Sequence, residues 1–243
     1  MKLPIICAEC SRGFSEAFSS GFWKAVTIED IRDDGIYTVQ CVNGHTTKTI
    51  LQEQKFEILF QIGAYAIADG YYREAISSFT SSLEQLYAFF IRAALSEKGV
   101  SDEATGRMWH YMKNQSERQL GAFIVIYTSE LGKAPVLLDE KLISCRNKVI
   151  HQGLIPDRNK AVEYGEAVRS VMHPIMKEVN NRYPIGVQKL ISQHLSRGYN
   201  QNAGVLTSTL SIKMIISLLH GSVSEDIPLD AAIHALPKYQ DKR

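Results

Sequence analysis

The hydrophobic pattern of this chain changes period at Gln52, and that change limits the folds open to it. Upstream, Gly35 to Gln40 alternates apolar and polar side chains with a β-branched bias and runs into Cys41. Asn43-Gly44 then turns the chain, and Thr46 to Ile50 returns it, so a β-hairpin is expected there. Downstream, apolar side chains recur every three or four residues to the end of the chain, the signature of packed amphipathic helices. Phe56, Leu59 or Phe60, Gly63 and Ile67 define one helix, closed at Asp69-Gly70. Ile76, Phe79, Leu83, Leu86 or Tyr87, Phe90 and Ala94 define a second, over Tyr71 to Leu95. The loop between them is short, which makes them an antiparallel pair.

Further helices follow by the same logic. Ser101 caps a short one holding Met108, Trp109 and Met112, and Gln119 to Leu131 reads as a buried helix stopped by Gly132. After the Lys133-Ala134-Pro135 linker, Leu138, Leu142, Cys145 and Val149 form a helical seam that Gly153 ends. Asp157 to Tyr183 is a long helix that Pro174 is expected to kink. His173 beside that proline reads as structural or exposed. Past Pro184, helices are expected to end near Gly198, to cover Ile212 to Leu219 with a stop at Gly221, and to begin again at Pro228; Asn200 to Gly204 reads as a loop.

The residues before Gln52 carry their own chemistry. Cys7-Ala8-Glu9-Cys10 is a C-x-x-C knuckle, and Cys41 with His45 brackets the Asn43-Gly44 turn. Zinc takes four soft or borderline ligands in a tetrahedron, and two knuckles on tight turns can each supply two. Cys7, Cys10, Cys41 and His45 therefore read as one structural zinc site and resemble a zinc ribbon. A four-coordinate site has no open position, so no catalytic metal is expected. The interval between the knuckles is longer than in the usual finger. It contains Phe14, Phe18, Phe22 and Trp23, which read as an insertion packed on the knuckles.

Composition sets outer limits. A 45% hydrophobic and 22% charged chain is ordinary for a globular protein, and a net charge of +1 gives no global attraction to polyanions, so nucleic acid would need a local patch. No apolar run approaches the roughly 20 residues of a membrane span, and the expectation is a cytoplasmic chain with no membrane partner. The mostly α fold is then expected in three parts: a small β-rich, zinc-ribbon-like module at 1–51, a helical bundle at 52–183 and extra C-terminal helices at 184–243.

One helix of the bundle has a second face that a solvated surface does not explain. Arg146 flanks the seam, Asn147 and His151 sit one turn apart on the opposite side, and Ile143 and Ile150 fall among them. Cys145 lies on the seam itself, as a core cysteine would. Arg146-Asn147-x-x-x-His151 resembles the motif of the HEPN superfamily, the higher-eukaryote and prokaryote nucleotide-binding helical domains. Gly70-Tyr71-Tyr72-Arg73-Glu74-Ala75-Ile76 leading into Leu83-Glu84-Gln85-Leu86-Tyr87 is similar to that family's opening helices. The resemblance implies an HEPN-like helical bundle, a homodimer in which two motifs meet, and metal-independent cutting of RNA to a 2′,3′-cyclic phosphate. It also implies a toxin or defence setting with a regulatory or antitoxin partner.

The residue types suit that chemistry. RNA carries its own nucleophile, the 2′-hydroxyl, so cleavage needs a base, an acid and charge stabilisation at the phosphoryl oxygens. Histidine titrates near neutrality, and arginine offers a planar fork of donors to phosphate. Arg146, Asn147 and His151 are thus candidate catalytic residues, with Glu84 as a candidate orienting group for Arg146. A competing reading makes the domain a non-catalytic module for nucleotide, RNA or protein, with Arg146 in an ion pair and His151 complementing the helix dipole.

Overall fold

The computed structural model describes residues 1–12, 26–199, 204–219 and 226–237. Phe14, Phe18, Phe22, Trp23, residues 200–203 and Gly221 lie outside them. The chain is mostly helical with small sheets, and it divides into two compact units. The first comprises Met1–Glu53, Ile191–Ile212 and Pro237–Arg243, and the second Gln54–Leu190 and Lys213–Leu236.

In the first unit, β1 (Lys2–Ile6) pairs antiparallel with β2 (Val26–Asp30), Lys2 opposite Asp30, and turns Leu3 and Ile5 fully inward. A short helix, α1 (Ala8–Ser11), follows at once. The expected hairpin is present as β3 (Ile36–Gln40) and β4 (Thr46–Leu51), with Gly44 at φ +82° in its turn. A third strand, β5 (Leu206–Leu210), pairs parallel with β4, and Gln52 N–H extends that ladder to the Leu210 carbonyl at 2.9 Å. Helix α8 (Pro184–Tyr199) contributes its residues from Ile191 onward. Gly198 sits so close to Ile50 that a Cβ there would lie 2.3 Å from Ile50 Cδ1, and His194 Nε2 lies 2.8 Å from the Leu51 carbonyl oxygen.

The second unit is built around α3 (Tyr72–Glu97), against which α2 (Lys55–Ala68), α5 (Ser116–Leu131), α6 (Glu140–His151) and α7 (Arg158–Arg182) pack. The predicted α2–α3 hairpin closes at Gly70, φ +86°. Phe79 on α3 fills a space made by two glycines: a Cβ on Gly63 of α2 would meet its ring at 2.6 Å, and one on Gly165 of α7 at 2.6 Å. Further along α3, Phe90 stands edge-on to Phe123 of α5 at 5.2 Å, and Tyr87 stacks on Phe123 at 4.4 Å. The short helix α4 (Asp102–His110) has the predicted cap, Ser101 Oγ accepting from Ala104 N–H at 3.2 Å. Helix α7 is capped by Asp157 and continues through Pro174.

The C-terminal stretch departs from the expected pattern in a definite way. Residues 212–219 are irregular rather than helical. Ile215 N–H donates to Gln61 Oε1 at 3.0 Å and Leu218 N–H to Glu57 Oε1 at 2.7 Å, so buried side chains of α2 take the donors that a helix would satisfy internally. Met214, Ile215 and Ile216 are buried in succession. A final helix, α9 (Leu229–His234), begins after Pro228 as expected, and Leu229 N–H donates to Glu166 of α7 at 2.7 Å. Among the described residues, no helix is long and apolar enough to cross a membrane.

Candidate functional site

Two groups of chemically capable side chains stand out, one in each unit. In the first unit, β1 delivers Cys7 to the cap of α1, where Cys7 C=O accepts from Ser11 N–H at 3.0 Å and the helical turn swings Cys10 to the same side. The β3–β4 turn brings Cys41 and His45 together through the Cys41 N–H to His45 C=O bond at 3.0 Å. One ligand atom from each of Cys7, Cys10, Cys41 and His45 lies within 4.8 Å of the others, so the cluster is close enough to hold one metal ion.

Tetrahedral zinc with Zn–S bonds of about 2.3 Å separates two sulfurs by about 3.8 Å. Cys10 Sγ and Cys41 Sγ are 3.7 Å apart. His45 Nδ1 lies 3.3 Å from Cys10 Sγ and 3.9 Å from Cys7 Sγ, bracketing the shorter N···S edge of such a site. The thiols are also tuned. Burial pushes Cys41 up, but the N–H groups of Asn43 and His45 and the neighbouring thiols outweigh it and bring the group down to about 7. The Asn43 amide donates to Cys10 Sγ at 3.3 Å, while burial, Cys41 and Cys7 leave that thiol raised. A thiolate beside amide donors is the form a metal binds.

In the second unit, α3, α5, α6 and α7 enclose an open cleft of about 530 Å³. Helix α6 sets its chemistry. Asp139 caps it by accepting from Lys141 N–H at 2.8 Å, Cys145 and Val149 point into the core, and Gly153 at φ +72° turns the chain away after its last turn. With that seam buried, Arg146, Asn147, Ile143 and His151 fall along the cleft, and all four line it.

Arg146 is fixed at both ends of its fork. Nη2 donates to Glu84 Oε1 of α3 at 3.0 Å and Nη1 to Asn147 Oδ1 at 3.0 Å. An arginine has five N–H donors, so three remain for a ligand. Burial pushes the Glu84 carboxyl up; the Arg146 charge and hydrogen bond oppose that without cancelling it, and Glu117 adds to the rise. His151 and Asn147 are exposed at the cleft.

Below them lies a hydroxyl pair. Thr80 Oγ1 donates to the Ile76 carbonyl at 2.8 Å and receives the Tyr164 hydroxyl at 2.8 Å. Tyr164 is 1% exposed, and burial holds its phenol up. Leu83, Tyr87, Leu120 and Leu138 complete the apolar wall, with Glu117 of α5 at the rim.

The structure thus brings Arg146, Asn147, His151 and Glu84 to one cavity, and Cys7, Cys10, Cys41 and His45 to one cluster. Cys145 is buried on its seam, and His173 is half-buried against a different cavity on α7. Thr80, Glu117 and Tyr164 were not singled out from the sequence. They reach the cleft from three other helices, and no local spacing links them to the α6 motif.

The cleft gathers a guanidinium, an imidazole, an amide and two carboxylates in a helical unit, and the same chain carries a Cys3His cluster close enough to hold one metal ion. Family models, proteins of known function and solved structures compared with this chain gave no match.

Proposed function

We propose that the protein is a metal-independent endoribonuclease that uses the 2′-hydroxyl of its RNA substrate and leaves a 2′,3′-cyclic phosphate. The observation that carries this reading is the convergence of Arg146, Asn147 and His151 on one open cleft, with Arg146 held by Glu84. The free N–H groups of Arg146 and the Asn147 amide would bind the scissile phosphoryl oxygens and favour the charge that grows on them in the transition state. His151 would move a proton, as base for the 2′-hydroxyl or acid for the departing 5′-oxygen.

One motif supplies one imidazole, so the reading includes a homodimer in which a second copy brings the other. Ile143 and Leu137, exposed on the cleft wall, and Val136 and Ile155, exposed on either side of α6, support a self-contact at this face. Resemblance to the HEPN superfamily supports the same arrangement and carries with it a toxin or defence role under a regulatory partner. Zinc at Cys7, Cys10, Cys41 and His45 would be structural and would stabilise the first unit, taking no part in the reaction.

The Glu84–Arg146 pair also favours a second reading, a non-catalytic RNA- or nucleotide-binding module in which Arg146 is neutralised. End-labelled single-stranded RNA separates the two. With no added divalent cation, the wild type should cut, and His151→Ala and Arg146→Ala should each lose at least about a hundredfold. Equal product from all three proteins would overturn the nuclease reading, and binding without cutting would favour the second.

A further inference from the structure

We infer that the cleft takes a guanine base against Glu117, next to the phosphate whose oxygens Arg146 would hold; the inference rests on the nuclease reading above. The cleft is larger than a phosphate site requires. Its volume of about 530 Å³ lies within the range of small-molecule pockets, and much of its wall is apolar, with Leu83, Tyr87, Leu120 and Leu138 offering flat or aliphatic surface to a heterocycle.

The cleft holds charges of both signs. Arg146, Asn147 and His151 belong to α6, while Glu117 stands in the first turn of α5. Glu84 is committed to Arg146. Among the described residues, Glu117 has no hydrogen-bond donor or basic side chain against it, although it lines the same cavity and its charge reaches Glu84. A bare carboxylate repels phosphate and attracts neutral donors, so a bound strand would set its phosphate against Arg146 and a base against Glu117.

Base chemistry selects the occupant. A carboxylate has two acceptor oxygens side by side. On the Watson–Crick edge only guanine presents two adjacent donors, N1–H and the 2-amino group. Adenine and cytosine each offer one amino group beside an acceptor nitrogen, and uracil one N–H between two carbonyls. A bidentate contact of this kind discriminates by roughly tenfold or more.

The test uses the full-length protein in two assays. In the first, an RNA containing every dinucleotide step is cut and the sites are mapped. Steps flanked by guanine should exceed all others by at least about tenfold, inosine in place of guanine should lose most of that advantage, and Glu117→Gln should bring guanine steps down to the level of the rest. In the second, guanosine monophosphate and adenosine monophosphate are titrated against the wild-type and Glu117→Gln proteins, with a thermal melt confirming that the change at the exposed Glu117 leaves the protein folded. Guanosine-selective binding that Glu117→Gln abolishes supports the pocket even if no RNA is cut, in which case only the nuclease reading falls. Cutting without guanine preference, or a preference that survives Glu117→Gln, overturns the pocket and leaves the nuclease standing. Neither cutting nor selective binding overturns both.

Discussion

Arg146 Nη2 on α6 donates to Glu84 Oε1 on α3 at 3.0 Å, so the last turns of the motif helix are tied through a charged pair to the central helix of the second unit. Asn147 Oδ1 holds the other arm of the same guanidinium at 3.0 Å. The fork is therefore aimed before any ligand arrives, and its side chain loses less freedom on binding.

On the nuclease reading, Glu84 would act by positioning Arg146. Glu84→Gln keeps an acceptor near Nη2, whereas Glu84→Ala removes it. Cleavage should fall about tenfold in the first variant and closer to a hundredfold in the second, with KM for RNA changing less than kcat. Steady-state kinetics on a short RNA, with circular dichroism as a fold control, checks this.

The same pair makes a pH signature. Burial raises the Glu84 carboxyl from its ordinary 4.5, and Arg146 restrains the rise. A carboxyl whose folded pKa is raised lends stability that is complete below the unfolded value and is lost as pH climbs through the folded one. Arg146→Ala removes the restraint, so its melting temperature should fall more steeply than that of the wild type as pH rises from about 4.5. Parallel curves for the two proteins would show that Glu84 does not sense Arg146.

Metal binding is a separate matter. Native protein should carry about one equivalent of zinc, and Cys10→Ser or Cys41→Ser should lose it. Chelation should release the β1–β2 and β3–β4–β5 strands into rapid amide exchange while α3 and α7 stay protected. Substoichiometric metal with unchanged exchange would contradict the assignment.

Packing around Phe79 gives a test independent of function. Gly63→Ala would place a methyl 2.6 Å from the Phe79 ring and should cost about 1–3 kcal/mol. Adding Phe79→Leu should recover part of that loss, a non-additive pair by chemical denaturation.

Glu57 offers a second test independent of function. It is almost fully buried, and its two oxygens accept from Leu218 N–H at 2.7 Å and Gln54 N–H at 2.6 Å. Glu57→Ala would strand both donors and should destabilise the protein by about 2–4 kcal/mol.

These contacts also show why some of the structure was legible in the sequence and some was not. Asp139, Asp157 and Ser101 cap helices with their own side chains, and Gly132 and Gly153 end them at positive φ, so those boundaries are written locally. The Cys41–His45 turn is equally local, and its meeting with Cys7 and Cys10 followed from the ligand demands of a metal. Strand β5 was not legible, because Leu206–Leu210 gains its partner from β4, far away in the chain, and three hydroxyl residues between two leucines make a weak signal. Ile212 to Leu219 misled for a related reason: its apolar spacing matches a helix, yet Gln61 and Glu57 claim its backbone donors. In the cleft, the α6 residues had a motif, while Thr80, Glu117 and Tyr164 arrive by tertiary packing and have none.

The proposed function requires the α6 side chains to cleave RNA through its own 2′-hydroxyl. A DNA strand carrying a single guanine ribonucleotide measures this most directly, with products sized and weighed by mass spectrometry. The expected result is one cut, on the 3′ side of the ribonucleotide, leaving a 2′,3′-cyclic phosphate and reduced at least about a hundredfold by His151→Ala. Cuts within the DNA, products with a free 3′-hydroxyl, or equal cleavage by His151→Ala would contradict it.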